Sequence, residues 1–120
     1  MANSKNAERA AQFIPVTDEQ TLDSLFTLSY HRPVIIFKHS TTCPISAAAY
    51  REMSEVERDV LLIVVQSARG VSNKVATLTG VRHESPQAIV LKNGKVVWSA
   101  SHFNITADAV EKVVQKYDGK

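Results

Sequence analysis

Three short apolar runs constrain this chain most: Val34-Ile35-Ile36-Phe37, Val60-Leu61-Leu62-Ile63-Val64-Val65, and Ala88-Ile89-Val90-Leu91 after Gln87. Each has strand length and is nearly free of polar residues, the pattern of strands covered on both faces. Segments of helical spacing separate them. Strands joined through a helix run parallel, so the chain is expected to be an α/β domain with helices on both faces of its sheet.

The connecting elements follow from local signals. Phe13-Ile14-Pro15-Val16 reads as a short strand, with Pro15 marking an edge. Thr17-Asp18-Glu19-Gln20 has the spacing of a capping box and predicts a helix over about 18–29, with Leu22, Leu25 and Phe26 on its inner face. Pro44 suits the first position of a second helix, running to about Val56. Arg69 to Thr79 carries Val71, Val75 and Leu78 on one face, and Gly80 supplies a stop. Asn93-Gly94 predicts a tight hairpin from the 87–91 strand into Val96-Val97-Trp98-Ser99. Thr106 can cap a last helix bearing Ala109, Val110, Val113, Val114 and Tyr117. The resulting order, (β)αβαβαββα, gives a mixed sheet of four to five strands flanked by helices. Residues 1–12 read as a polar leader or a short extra helix, and 13–120 as the folded domain.

Composition narrows the function. At 44% hydrophobic and 22% charged, the 120 residues belong with ordinary globular domains. A net charge of +2 gives no ground for a nucleic-acid or membrane partner. The longest apolar run, Val60–Val65, is far short of the roughly 20 residues of a membrane helix. The polar N-terminus has no signal-like apolar core. With one cysteine the chain can form neither an internal disulfide nor a cysteine zinc cluster. A reducing cytoplasm is the expected compartment. His31 and His102 show no ligand spacing, so no metal is expected.

That cysteine sits in Phe37-Lys38-His39-Ser40-Thr41-Thr42-Cys43-Pro44-Ile45-Ser46, where a buried strand ends and a helix begins. Unpaired N–H groups and the helix dipole favour an anion there, hence a thiolate over a thiol, and make Cys43 a nucleophile. Ser46, three residues on, is placed to donate its hydroxyl to that sulfur. The competing reading is inert packing, the usual fate of a lone cysteine. The polar run 40–42 and Pro44 argue for a loop and a cap over a core. His39 either touches the thiolate or positions the loop. Lys38 reads as a solvated strand end, Arg69 and Arg82 as surface charge, and Trp98 as packing. His83 has a modest claim to line a groove with Pro86. Pro86 is either a simple strand-entry turn or a cis bond after Ser85 facing Cys43.

Taken together, a helix-opening Cys-Pro-x-Ser, the strand order and a proline-led hairpin resemble the thioredoxin fold. The string Lys38-His39-Ser40…Thr42-Cys43-Pro44-Ile45-Ser46 resembles, more narrowly, the monothiol bacilliredoxin family. The resemblance implies Cys43 as nucleophile, with Ser46 where a dithiol relative carries its resolving cysteine. It implies a substrate groove shaped by Thr42, Pro44, His39, Ser85 and a cis Pro86, the Ser85 backbone pairing with substrate. It also implies no bound cofactor, bacillithiol as co-substrate, S-bacillithiolated client proteins as partners, and resolution by a second low-molecular-weight thiol or a partner reductase. Two other functions fit the same residues: a non-catalytic thioredoxin-fold thiol sensor or binding module, and a glutathione-dependent monothiol glutaredoxin-like protein.

Overall fold

A computed structural model describes residues 11–118 of the chain. The sheet is built from β1 (Gln12–Pro15), β2 (Val34–His39), β3 (Asp59–Val64), β4 (Gln87–Lys92) and β5 (Lys95–Ser101). The helices are α1 (Glu19–Leu28), α2 (Pro44–Met53), α3 (Arg69–Thr79) and α4 (Ala107–Tyr117). The strand order is β1-β3-β2-β4-β5. β1 and β2 both pair parallel with β3, and β4 pairs antiparallel with β2 and β5. The expected α/β class and mixed sheet are found, with five strands, but β4 departs from the expectation that strands joined through a helix run parallel. It follows β3 through α3 and docks on the far edge of β2, antiparallel to it, instead of beside β3. The leader expected over 1–12 falls almost wholly outside the described residues; Gln12 already belongs to β1.

Alternation along the central strands divides the core in two. Val34 and Ile36 of β2, with Ile63, Ile89 and Leu91, meet Leu22 and Leu25 of α1 and Val71 and Val75 of α3. Ile35 and Phe37, with Val60, Ala88 and Val90, meet Ala49 and Met53 of α2 and Val110 and Val114 of α4. Each fully buried aliphatic side chain contributes roughly 1.5–3 kcal/mol relative to exposure. The both-faces-covered pattern in the sequence has this cause. Among the described residues no helix is long and apolar enough to cross a membrane.

Local details differ from expectation in four places. The N-cap of α1 is Asp18, whose carboxylate accepts from the Thr21 amide at 2.7 Å. Thr17 is not the cap: two capping residues stand side by side, and the chain turns helical only after the second. Helix α2 stops at Met53, short of Val56. Leu78 lies exposed in the last turn of α3, although its spacing puts it on the face of Val71 and Val75. A 3-10 turn at His102–Asn104, unmarked in the sequence, follows β5. Two other local expectations hold: Gly80 closes α3 with φ +73°, and Thr106 caps α4 through the Ala109 amide.

Candidate functional site

The site is assembled where β2 runs out. Strand pairing ends at His39, residues 40–43 form a short loop, and Pro44 opens α2. Proline fits there because a first helical residue needs no N–H donor. Cys43 is the N-cap in extended conformation (φ −104°, ψ 123°), and its side chain makes no capping hydrogen bond. Its carbonyl accepts from the Ala47 amide at 3.0 Å, so the backbone is fixed while the thiol, half-buried, stays uncommitted. The inert-core alternative for Cys43 is not what the geometry shows.

Ser46 corrects an expectation. Its side chain is fully buried, and Oγ accepts from the Ser40 amide at 2.9 Å and lies 2.8 Å from Nδ1 of His39. A fully buried hydroxyl needs an acceptor for its proton and Nδ1 is the partner in reach, so we assign that proton to Nδ1, which leaves the imidazole proton on Nε2. Ser46 therefore ties loop to strand and is not a donor to the Cys43 sulfur. His39 is a positioning group of the same knot. Its ring packs against both Phe37 and Tyr50, with centroids 5.6 and 4.9 Å away. Burial holds its pKa below the ordinary histidine value, so near neutral pH it is no cation for a thiolate.

A second clasp was not foreseen. Gln66, in the segment after β3, donates through Nε2 to Ser40 Oγ (2.9 Å) and Thr42 Oγ1 (3.2 Å). Its Oε1 accepts from the Thr41 amide at 3.3 Å. One amide side chain thus holds three consecutive loop residues, including Thr42, which is itself exposed along with Pro44. A cleft of about 290 Å³ lies beside this loop, lined by His39, Thr41, Ala47, Tyr50 and Arg51.

The Ser85–Pro86 bond is cis. Lys38 stands opposite Gln87 in the β2–β4 ladder, so Ser85 and Pro86 enter β4 at the same end of the sheet from which the thiol loop leaves β2. The Pro86 carbonyl accepts from the His102 amide at 3.1 Å, anchoring this entry to the 3-10 turn. The sequence-picked residues His39, Thr42, Cys43, Pro44 and Ser46 therefore form one knot, and Ser85 and Pro86 sit on the neighbouring strand's entrance. Arg69 and Arg82 are exposed, as their surface reading expects.

Lys38 requires the largest correction. It is no solvated strand end: it is fully buried, and Nζ lies 3.0 Å from Nδ1 of His83. Burial pulls it down to about 8. His83 is lowered too, first by burial and then by the Lys38 charge, with Glu84 opposing. A usable signal was present: Lys38 continues the Val34–Ile36 alternation, which aims it at a helix-covered face. Gln66 had no such signal, because its contacts lie 24 to 26 residues away.

Comparison with known proteins agrees with this geometry. Over residues 14–110 the chain matches the family described as monothiol bacilliredoxin BrxC. A solved structure assigned as an oxidoreductase with a thioredoxin fold is similar at 32% identity and TM-score 0.76, over 83% of this chain and 91% of that one. Thioredoxin from Fasciola hepatica shares 12% identity at TM-score 0.67, over 88% of this chain and 99% of its own. Thioredoxin O2 from Arabidopsis thaliana shares 13% at TM-score 0.66, over 89% and 95%. The last two speak for the fold alone. A single half-buried thiol at a helix N-cap, a buried serine three residues on and the match over 14–110 lead to one conclusion: the chain belongs to the monothiol bacilliredoxin family of thioredoxin-fold thiol oxidoreductases.

Proposed function

We propose that this protein removes bacillithiol from mixed disulfides on protein cysteines in a reducing cytoplasm. The Cys43 thiolate attacks the bacillithiol sulfur of the mixed disulfide. A new S–S bond forms, the old one breaks, and the client leaves as a thiol. Cys43 then carries bacillithiol until a second bacillithiol or a partner reductase takes it off. Cys43 caps α2 with its side chain in no capping hydrogen bond, which leaves the sulfur available for the attack.

The observation that carries this proposal is the fate of the position three residues on. Ser46 is buried and committed to His39 and Ser40, and the chain has no second sulfur apart from its two methionines. An adduct on Cys43 therefore has no internal exit and must be resolved by another molecule. Family membership supports bacillithiol as that molecule's identity. The test is turnover of an S-bacillithiolated client by wild type and Cys43→Ser, with mass spectrometry of the trapped adduct. Loss of release in Cys43→Ser and a bacillithiol mass on wild-type Cys43 are the expected results. Undiminished release by Cys43→Ser refutes the proposal. A single turnover without recycling points to a sensor, and a preference for glutathione points to a glutaredoxin-like protein.

A further inference from the structure

The exchange chemistry above leaves one buried charge without a task. Lys38 is enclosed on the α1/α3 side of the sheet, and among the described residues no carboxylate pairs with its Nζ. Its partner is Nδ1 of His83 at 3.0 Å, with Ser72 Oγ 3.3 Å from the same nitrogen. The other charged group acting on His83 is Glu84, whose carboxylate lies 3.5 Å from His102 Nδ1.

These contacts fix a tautomer. An ammonium group only donates, so Nδ1 of His83 must accept, and the neutral ring carries its proton on Nε2. His83 is exposed, which makes that N–H a donor at the surface. The loop bearing it is held in place: Gln87 Nε2 donates to the Arg82 carbonyl at 2.9 Å, and Gln87 stands opposite Lys38 in the ladder. His83 comes two residues before the cis Ser85–Pro86 bond, at the end of the sheet that carries Cys43.

We propose that His83 is the general acid for the departing client sulfur, and that Lys38 is the positioning residue that fixes its tautomer and restores its proton. This rests on the exchange reaction proposed above. As Cys43 bonds to the low-molecular-weight thiol, the breaking S–S pair moves onto the client sulfur. That sulfur takes the proton from Nε2 while Nδ1 takes one from the Lys38 ammonium; afterwards Nδ1 returns its proton to the neutral amine and Nε2 is reprotonated by water, which resets the tautomer. One disulfide replaces another, with no net oxidation. Burial eases the transfer, since it brings Lys38 to about 8.

The test compares leaving groups in single-turnover reactions of the full chain. One substrate is a mixed disulfide of bacillithiol with an aryl thiol, which departs readily as an anion. The other is its mixed disulfide with a cysteine peptide, an alkyl thiol whose departure a proton assists. His83→Gln is expected to slow the alkyl substrate about 100-fold, the lower range for general acid catalysis, and the aryl substrate about 3-fold or less. Lys38→Met should show the same selectivity with a smaller loss and an altered pH profile for the alkyl substrate alone. Should Lys38→Met not fold, the exposed His83→Gln decides alone. Equal slowing of both substrates, or no slowing of the alkyl one, overturns the assignment. Wild-type protein inert toward both would instead overturn the exchange reaction, and this assignment with it.

Discussion

Replacing Ser46 with alanine isolates the knot that holds the thiol loop. The hydroxyl is fully buried and serves two partners, the Ser40 amide at 2.9 Å and His39 Nδ1 at 2.8 Å. Alanine strands both, and a buried polar group left without a partner costs about 1–3 kcal/mol. Both partners are only half-buried, so water recovers part of the loss and a combined cost of about 2 kcal/mol is reasonable. Better helix propensity returns about 0.5 kcal/mol, leaving a net loss of about 1.5 kcal/mol. For a domain of this size, a urea slope of about 1.5 kcal/mol/M turns that into a midpoint lower by about 1 M. Equilibrium urea unfolding followed by Trp98 fluorescence measures it. A midpoint within about 0.3 M of wild type would refute the reasoning, because it would mean that Ser46 bridges nothing that water does not bridge equally well.

Further perturbations probe other supports. Ser29 is fully buried, donates to the Phe26 carbonyl and accepts from the Gly94 amide at 2.8 Å; Ser29→Ala should cost about 2 kcal/mol and lower Tm by roughly 8 °C in calorimetry. Gly80→Ala, in open space at φ +73°, should cost about 1 kcal/mol from backbone strain alone. Gly94→Ala should cost more, since its Cβ would stand 2.6 Å from the Tyr30 hydroxyl, and the surplus should vanish in a Tyr30→Ala background in a double-mutant cycle. Lys38 gives a signed pH dependence. With a folded value of about 8 against 10.5 unfolded, the unfolded chain binds more protons between those pH values, so stability rises with pH across that window. Lys38→Met should lack that rise when unfolding free energies of the two proteins are compared from pH 7 to 10.

What the sequence made legible was everything governed by period and punctuation. The apolar runs gave the central strands because both faces of β2, β3 and β4 are roofed by helices, leaving little room for polar residues. Pro44 and Gly80 marked helix ends through backbone restrictions that hold in any context. Cys43 was legible as a cap because Ser40, Thr41 and Thr42 are loop residues whatever surrounds them. Partnership was not legible. Ser46 has the right spacing to reach the thiol, yet its bonds go to His39 and Ser40, a choice made by how the loop folds back over β2. Lys38 looked like a strand terminus because charge suggests solvent. Its partner His83 lies 45 residues away, and only the β2–β4 pairing brings them together.

The glutamine clasp has a consequence for variation. Because Gln66 spans Ser40, Thr41 and Thr42 from a different part of the chain, the loop and position 66 make one structural unit. Transplanting the triplet into another scaffold without the glutamine would carry over the letters and lose the shape. Among homologous chains, changes at 66 should travel with changes at 40 or 42.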